Sequence, residues 1–299
     1  MPYLNIRGVS HFYEWLTDPT VEPGSKPVLL FVHGWGGSAR YWQSTAQHLT
    51  AYFDCLLYDL RGFGRSKCGA DLPRSDEYAL ESYAADLNEL LNQLGCDRIW
   101  INAHSMGASI ATLFANQYPE KVEQLILTCS GIFNYDASAF AAFHRFGGYV
   151  VKLRFDWFLK VPGAARMFMA RFLVRSIPAS ERLSFLADFL AAQENAALGT
   201  IYTSVSKHAV EKMPQAFAQL QMPTLLVAGA ADIIIPASMG AKAAALNPQI
   251  EFIEIPRTAH FPMLEDSNTY RRIIQSFLLV PEDISGETPS ANLSKIKIY

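Results

Sequence analysis

A serine between an apolar run and a helix-forming stretch is the first residue whose chemistry needs explaining. In RIWINAHSMGASI (98–110), Ile99–Ile101 predict a buried strand, and small helix-forming residues follow Ser105 at once. A strand-to-helix turn of this kind directs the serine side chain out at the carboxyl end of a sheet. Such a turn is crowded, so the residues two before and two after the serine must be small. Ala103 and Gly107 meet that need.

A serine hydroxyl becomes an effective nucleophile when a base removes its proton and an acid orients that base. Two later residues have suitable positions. The stretch PTLLVAGAADIIIP places Asp232 just past a predicted strand, and IPRTAHFPMLE places His260 just past the last one. Because both would reach the sheet edge that carries Ser105, we expect Ser105, Asp232 and His260 to form a catalytic triad.

These motifs resemble those of the α/β-hydrolase superfamily, whose nucleophile elbow is usually G-x-S-x-G. Here Ala103 replaces the first glycine. The chain order of serine, acid and histidine is also that of the superfamily. Two further stretches match: HGWGGS (33–38) is similar to its His-Gly oxyanion loop, and YDLRGFGRS (58–66) resembles its D-x-R-G-x-G-x-S loop.

The resemblance implies roles for residues around the serine. The backbone N–H groups of Trp35 and Met106 would stabilise the oxyanion that forms when a carbonyl is attacked. His33 and Gly34 would support the oxyanion loop, and His104 would only shape the turn.

The same resemblance raises two questions about acidic residues. In the second loop we expect Asp59 and Arg61 to form a structural ion pair. Some superfamily members take the triad acid from the loop after the preceding strand, which makes Asp136 the alternative to Asp232. We favour Asp232, because Asp136 lies further from its strand end.

Alternating apolar runs and helical patterns must position these residues. The pattern predicts an α/β fold with a mostly parallel twisted sheet flanked by helices. The resemblance implies that this is the α/β-hydrolase fold, with a helical cap inserted before the acid-bearing strand. Predicted strands are Val28–Val32, Cys55–Tyr58, Ile99–Ile101, Gln124–Thr128, Thr224–Ala228 and Glu251–Ile255, after an opening hairpin over Tyr3–Leu16. Predicted helices outside the cap are Ser38–Thr50, Asp76–Leu94, Met106–Gln117, Ala237–Leu246 and Ser267–Leu279.

A long stretch without strands interrupts this alternation. Residues 134–213 read as several helices separated by Pro162-Gly163 and Pro178, and a connection of this length is not an ordinary loop. We interpret 134–213 as a cap or lid, and 1–133 with 214–280 as the hydrolase core. The polar, turn-rich stretch 281–299 is expected to be a loose tail.

The lid contains an unusual concentration of basic residues. Residues 145–175, RFGGYVVKLRFDWFLKVPGAARMFMARFLVR, contain seven Arg or Lys and one acid, Asp156. In the first helix predicted for this segment, Phe146, Val150, Leu153 and Trp157 share one face, and Lys152, Asp156 and Lys160 share another. Two interpretations stay open: a plain lid that buries the apolar face over the pocket, or a peripheral contact with a membrane surface. Both imply an apolar substrate pocket.

Composition excludes several classes of function. A formal net charge of −3 gives no overall attraction to nucleic acid. The first fifteen residues do not have the pattern of a signal peptide, and no apolar run reaches the length of a membrane span, so we expect a cytoplasmic protein. The cysteines are far apart and indicate neither a disulfide framework nor a metal site: Cys55, Cys68, Cys96 and Cys129. We expect no metal and no cofactor.

The function predicted from these residues is a serine hydrolase that cleaves small-molecule carboxylic esters with an apolar acyl or alcohol portion through an acyl-enzyme. The same triad could serve a cofactor-free haloperoxidase or perhydrolase, a C–C bond hydrolase or an acyltransferase. A different class is a ligand-binding receptor with slow or no turnover.

Overall fold

An eight-stranded, mostly parallel sheet forms the centre of the computed structural model, which describes residues 2–22, 24–68 and 78–278. Its order is β1-β2-β4-β3-β5-β6-β7-β8. The first two pairs in this order are antiparallel, and all later pairs are parallel. The fold class predicted from the sequence is confirmed. The strands are β1 Tyr3–Ile6, β2 Val9–Leu16, β3 Val28–Val32, β4 Asp54–Tyr58, β5 Ile99–His104, β6 Val122–Thr128, β7 Thr224–Gly229 and β8 Ile250–Ile255.

The central strands are apolar on both sides because helices cover both faces of the sheet. Successive side chains enter different cores: Leu30 and Leu56 belong to one buried cluster, and Leu29 and Leu57 to the other. The covering helices are α1 Gln43–Leu49, α2 Leu80–Leu94, α3 Met106–Gln117, α9 Ala237–Ala244, α10 Pro262–Glu265 and α11 Ser267–Leu278.

Helix α3 has the predicted bounds, whereas the helix predicted over Ser38–Thr50 is divided. A 3₁₀ turn over Ala39–Trp42 precedes α1, and the Ser38 side chain caps that turn by accepting a hydrogen bond from the N–H of Arg40. Helix α2 begins at Leu80; the first residues of the helix predicted from Asp76 lie outside the described residues.

Between β6 and β7 the described chain forms several helices joined by loops and contains no strand, in agreement with the helices predicted there. It holds α4 Ala137–Lys152, α5 Ala164–Met169, α6 Ala179–Ala191, α7 Glu194–Ser204 and α8 Lys207–Ala218. Pro162-Gly163 precedes α5, and Pro178 precedes α6. The boundary placed at residue 213 falls inside α8. The stretch 281–299 lies outside the described residues.

The first helix of the basic segment ends earlier than predicted, before Trp157 and Lys160. Helix α4 ends at Lys152, and Asp156–Lys160 forms a separate 3₁₀ turn. The Arg154 guanidinium ends the helix: it donates to the carbonyl of Val151 within α4 and to two carbonyls at the end of α6. These bonds hold the chain against α6 and prevent the helix from continuing. Trp157 therefore does not extend the helical face of α4.

The ion pair predicted between Asp59 and Arg61 is also wrong. Arg65 forms two hydrogen bonds with Asp59, at 2.7 and 3.0 Å, while Arg61 lies 3.1 Å from the buried carboxylate of Asp86 on α2. The chain reverses at Gly62, which has φ 80°. This reversal returns Arg65 to Asp59 and directs Arg61 towards α2.

Within the residues that the structure describes, no helix has both the length and the apolar character needed to cross a membrane.

Candidate active site

Ser105 lies on a strained turn between β5 and α3. Its backbone has φ 53° and ψ −121°, in a region that residues with a Cβ rarely adopt. The crowding expected around this turn is present. Ala103 is fully buried, and a Cβ added to Gly107 would lie 2.4 Å from the carbonyl oxygen of His33. The turn requires a glycine at 107 because the loop after β3 packs directly on it.

Ser105, His260 and Asp232 form one hydrogen-bonded row. The His260 Nδ1 lies 2.7 Å from Asp232 Oδ2, and Nε2 lies 3.0 Å from Ser105 Oγ. Because a carboxylate only accepts, Nδ1 carries the proton and Nε2 is free to accept the serine proton. The other oxygen of Asp232 accepts the N–H groups of Ile234 and Ile235, which fix the orientation of the carboxylate.

The alternative acid is not near this row. Asp136 is exposed and caps the start of α4, where it accepts the N–H groups of Ser138 and Ala139. These hydrogen bonds lower the pKa of Asp136. The structure thus brings Asp232, and not Asp136, to the histidine.

The loop after β3 reaches the serine from the neighbouring strand. β3 and β5 pair directly, and a Cβ added to Gly34 would lie 3.1 Å from the Cβ of Ser105. The N–H groups of Trp35 and Met106 donate no hydrogen bond to any residue that the structure describes. They flank Ser105 and are available to an incoming group.

His33 fastens this loop to the loop after β4. Its Nε2 accepts the N–H of Leu60 at 2.9 Å, so Nδ1 carries the proton and donates to the carbonyl of Gly34 at 2.8 Å. Complete burial lowers the pKa of His33, which keeps the ring neutral.

A buried chain of hydrogen bonds, which sequence reasoning missed, connects the oxyanion loop to the histidine loop. The N–H of Gly34 donates to the Tyr41 hydroxyl at 2.5 Å, and the hydroxyl donates to His104 Nδ1 at 3.0 Å. His104 Nε2 then donates to the carbonyl of His260 at 2.7 Å. Burial and the neighbouring His260 hold the pKa of His104 well below its ordinary value. His104 therefore does more than shape the turn.

Glu265 is a second residue that the sequence did not single out. Its Oε1 accepts the N–H of Ala259 at 2.8 Å, beside His260, and its Oε2 accepts the N–H groups of Val174 and Arg175. A further bond runs from the N–H of His260 to a carbonyl of the helical insertion. The histidine loop is thus held against the insertion.

Aromatic rings from the core and the insertion surround the histidine. Phe172 lies 6.1 Å from the His260 ring, and Phe185 packs on Phe261 at 5.1 Å between ring centres. The layer continues through Phe168 and Phe189, whose centres are 4.6 Å apart. Substrate at Ser105 would meet an apolar surface.

One group of metal-ligating side chains occurs within the described ranges: His104, Cys129 and His260, whose ligand atoms lie within 4.8 Å of one another. Both ring nitrogens of each histidine already form hydrogen bonds. Burial, with a contribution from Asp232, raises the pKa of Cys129 well above its ordinary value, so the sulfur is a thiol. This donor set does not fit a metal ion.

Comparison with known proteins agrees with this geometry. The family model described as the alpha/beta hydrolase fold matches residues 27–267. An uncharacterized protein of Mycobacterium tuberculosis is 26% identical over 266 residues, covering 85% of this chain and 76% of the relative. The pimeloyl-[acyl-carrier protein] methyl ester esterase of Aeromonas salmonicida is 24% identical and covers 85% and 96%. A hydrolase from Pseudomonas aeruginosa superposes with a TM-score of 0.75 at 24% identity, covering 93% and 98%. The chain belongs to the alpha/beta hydrolase fold family and is a hydrolase.

Proposed function

We propose that the protein hydrolyses carboxylic esters with an apolar acyl or alcohol portion, with Ser105 as nucleophile, His260 as base and Asp232 as its orienting acid. The observation that carries the proposal is the row of hydrogen bonds from Asp232 through His260 to Ser105, at 2.7 and 3.0 Å. Nucleophile and base are at hydrogen-bond distance, and the base is oriented by a third group.

The proton positions define the first step. His260 Nε2 takes the proton of the Ser105 hydroxyl as Oγ attacks the ester carbonyl, and the carboxylate of Asp232 stabilises the imidazolium. The imidazolium returns this proton to the leaving alcohol, which leaves an acyl-enzyme. The same nitrogen then activates water, which releases the acid and restores the serine.

The negative charge on the attacked oxygen needs preformed donors. We assign this role to the N–H groups of Trp35 and Met106, because they flank Ser105 and have no other acceptor in the described part of the chain. Losing one such donor typically costs about 3 kcal/mol of transition-state stabilisation. His33 and Tyr41 hold the loop that carries the first donor.

An ester with an apolar portion is favoured by the surroundings of the triad. Phe172, Phe185 and Phe261 lie next to His260. Because Phe172 and Phe185 belong to the helical insertion between β6 and β7, we propose that this insertion acts as a lid over the site. The esterase among the relatives agrees with ester chemistry. A cytoplasmic location stays a prediction.

The test is an activity-based label followed by a substrate series. Wild-type protein should react with a fluorophosphonate probe and cleave p-nitrophenyl esters faster as the acyl chain lengthens, and Ser105→Ala should do neither. Absence of labelling in wild-type protein with a native circular dichroism spectrum would refute ester hydrolysis through Ser105 and favour a ligand-binding receptor.

Two asparagine variants test the acid. Asp232→Asn should lower kcat by roughly 10³–10⁴-fold, because the neutral amide no longer holds His260 in the productive tautomer. Asp136→Asn is the matched control and should keep full kcat, since Asp136 only caps α4. The reverse result would exclude Asp232 as the triad acid.

A further inference from the structure

Most of the exposed large hydrophobic side chains among the described residues lie on the helical insertion. Among the described residues, eighteen large hydrophobic side chains are exposed, and ten of them lie between positions 143 and 174. Phe146, Tyr149, Leu153 and Trp157 are each 56–60% exposed, and Met167 is 75% exposed. Exposed apolar patches of this kind mark sites of interaction with a partner or a membrane. A plain lid would bury these side chains instead.

These side chains point away from the body of the protein because the opposite sides of their helices are packed. On α4, Val151 and Gly147 are buried, and a Cβ on Gly147 would lie 3.0 Å from Ile201 of α7. On α5, Ala164 and Met169 are buried. Each of α4, the turn over Asp156–Lys160 and α5 therefore presents an outer side to solvent.

The same surface carries a set of free positive charges. The exposed side chains of Arg145, Lys152, Lys160, Arg166 and Arg171 form no ion pair within the part of the chain that the structure describes. The whole protein nevertheless has a formal net charge of −3. We call the exposed apolar and basic side chains of positions 145–171 the basic–aromatic face.

We propose that the basic–aromatic face binds the surface of a membrane that contains anionic phospholipids. Aromatic and aliphatic side chains enter the interface between headgroups and acyl chains, while flanking lysines and arginines neutralise lipid phosphates. A second copy of this chain fits less well, since a symmetric contact would bring two sets of unpaired cations together.

The face is also connected to the aromatic layer beside the triad. On α5, Met167 belongs to the face, and the next residue, Phe168, packs on Phe172 and Phe189. A bound membrane would thus lie one helix away from the rings around His260. The proposal goes beyond the proposed function and does not depend on it, because the test below measures binding without turnover.

The charges are tested by sedimentation with vesicles of equal parts phosphatidylglycerol and phosphatidylcholine, compared with phosphatidylcholine alone. Wild type should bind the anionic vesicles, and less as salt rises. Lys152→Gln/Lys160→Gln should bind about 30-fold more weakly, since each basic residue near an anionic surface contributes about fivefold. The control, Lys212→Gln/Lys242→Gln, removes two exposed lysines elsewhere and should bind like wild type.

The apolar side chains of the basic–aromatic face are tested through the fluorescence of Trp157. This tryptophan is exposed, whereas the other four tryptophans are buried or half-buried. Vesicles should shift wild-type fluorescence to shorter wavelength. Trp157→Phe should lose most of this shift while still binding, and Trp157→Ser should bind more weakly, with unchanged turnover of a short-chain soluble ester. No sedimentation even at low salt, or equal losses in both lysine pairs, would overturn the proposal. Self-association that Trp157→Ser abolishes would also overturn it and assign the face to a second copy.

Discussion

Replacing Tyr41 with phenylalanine should lower both stability and turnover, because a single hydroxyl serves two parts of the site. It accepts the N–H of Gly34 in the oxyanion loop and donates to His104, which in turn holds the carbonyl of His260. The ring is 5% exposed and packs against Phe261, so phenylalanine keeps the packing and removes only the oxygen. Burial raises the pKa of Tyr41 well above its ordinary value, so the group removed is a neutral phenol.

The expected loss of stability follows from the two buried polar groups that lose their hydrogen bonds to the Tyr41 hydroxyl. One buried donor and one buried acceptor lose their hydrogen bonds, and each typically costs about 1–3 kcal/mol. We expect the free energy of unfolding to fall by about 2–6 kcal/mol. For a chain of 299 residues this corresponds to a Tm lower by about 3–10 °C. If the freed loop loses part of one oxyanion donor, kcat should fall by about 10–100-fold, with a smaller change in KM.

The matched control is Tyr270→Phe. The Tyr270 hydroxyl is equally buried and also has two partners, Asn102 Oδ1 at 2.9 Å and Thr128 Oγ1 at 2.7 Å, but it contacts neither the oxyanion loop nor His260. Calorimetry should give similar losses of stability for the two variants, and steady-state hydrolysis of a p-nitrophenyl ester should show the loss of kcat in Tyr41→Phe alone. Equal kcat in both variants would refute the positioning role of Tyr41.

Three other predictions follow from the buried contacts of the site. Gly107→Ala should abolish turnover and labelling by fluorophosphonate, because its Cβ would lie 2.4 Å from a carbonyl oxygen; a fully active variant would contradict the close packing of the oxyanion loop on the turn. Glu265→Gln should lower the free energy of unfolding by about 3 kcal/mol in denaturant titrations, because an amide replaces one of two carboxylate oxygens that accept backbone N–H groups. Burial lowers the pKa of His11 to about 3 and those of His33 and His104 below the ordinary 6.5, so as pH falls only the unfolded chain takes up these protons. Stability should therefore decrease between about pH 7.5 and 5.5, by about 1.4 kcal/mol for His11 and by further losses of the same sign for His33 and His104, and a constant value would contradict neutral rings.

Much of the sheet and the row of reactive residues was predictable because the relevant signals are local. A strand that helices cover on both faces is recognised in the sequence as a short apolar run. Strand β3 has the bounds predicted from that pattern. The residue just past a parallel strand must lie at one edge of the sheet. This rule, together with the nucleophile motif and the chain order of the α/β-hydrolase superfamily, selected Ser105, Asp232 and His260, which the structure brings into one hydrogen-bonded row.

The remaining features depend on contacts between distant parts of the chain. Tyr41 gives no sequence signal of its own, since its partner His104 is 63 positions away. The partner predicted for Arg61 was wrong because the reversal at Gly62 decides which side chain returns to Asp59. The segment after Lys152 was misread because Arg154 bonds to α6, a contact that helical periodicity does not contain.

The position of the helical insertion between two adjacent strands affects how its sequence and length can change during evolution. The chain departs after β6 and returns at β7, and these strands are hydrogen-bonded neighbours, with Thr128 opposite Val227. An excursion between adjacent strands can change in length and shape while the strand register stays the same. A replacement must still provide apolar cover where Ala196 and Ile201 now join the core. The hydrogen-bonded row and the helical insertion can therefore evolve at different rates.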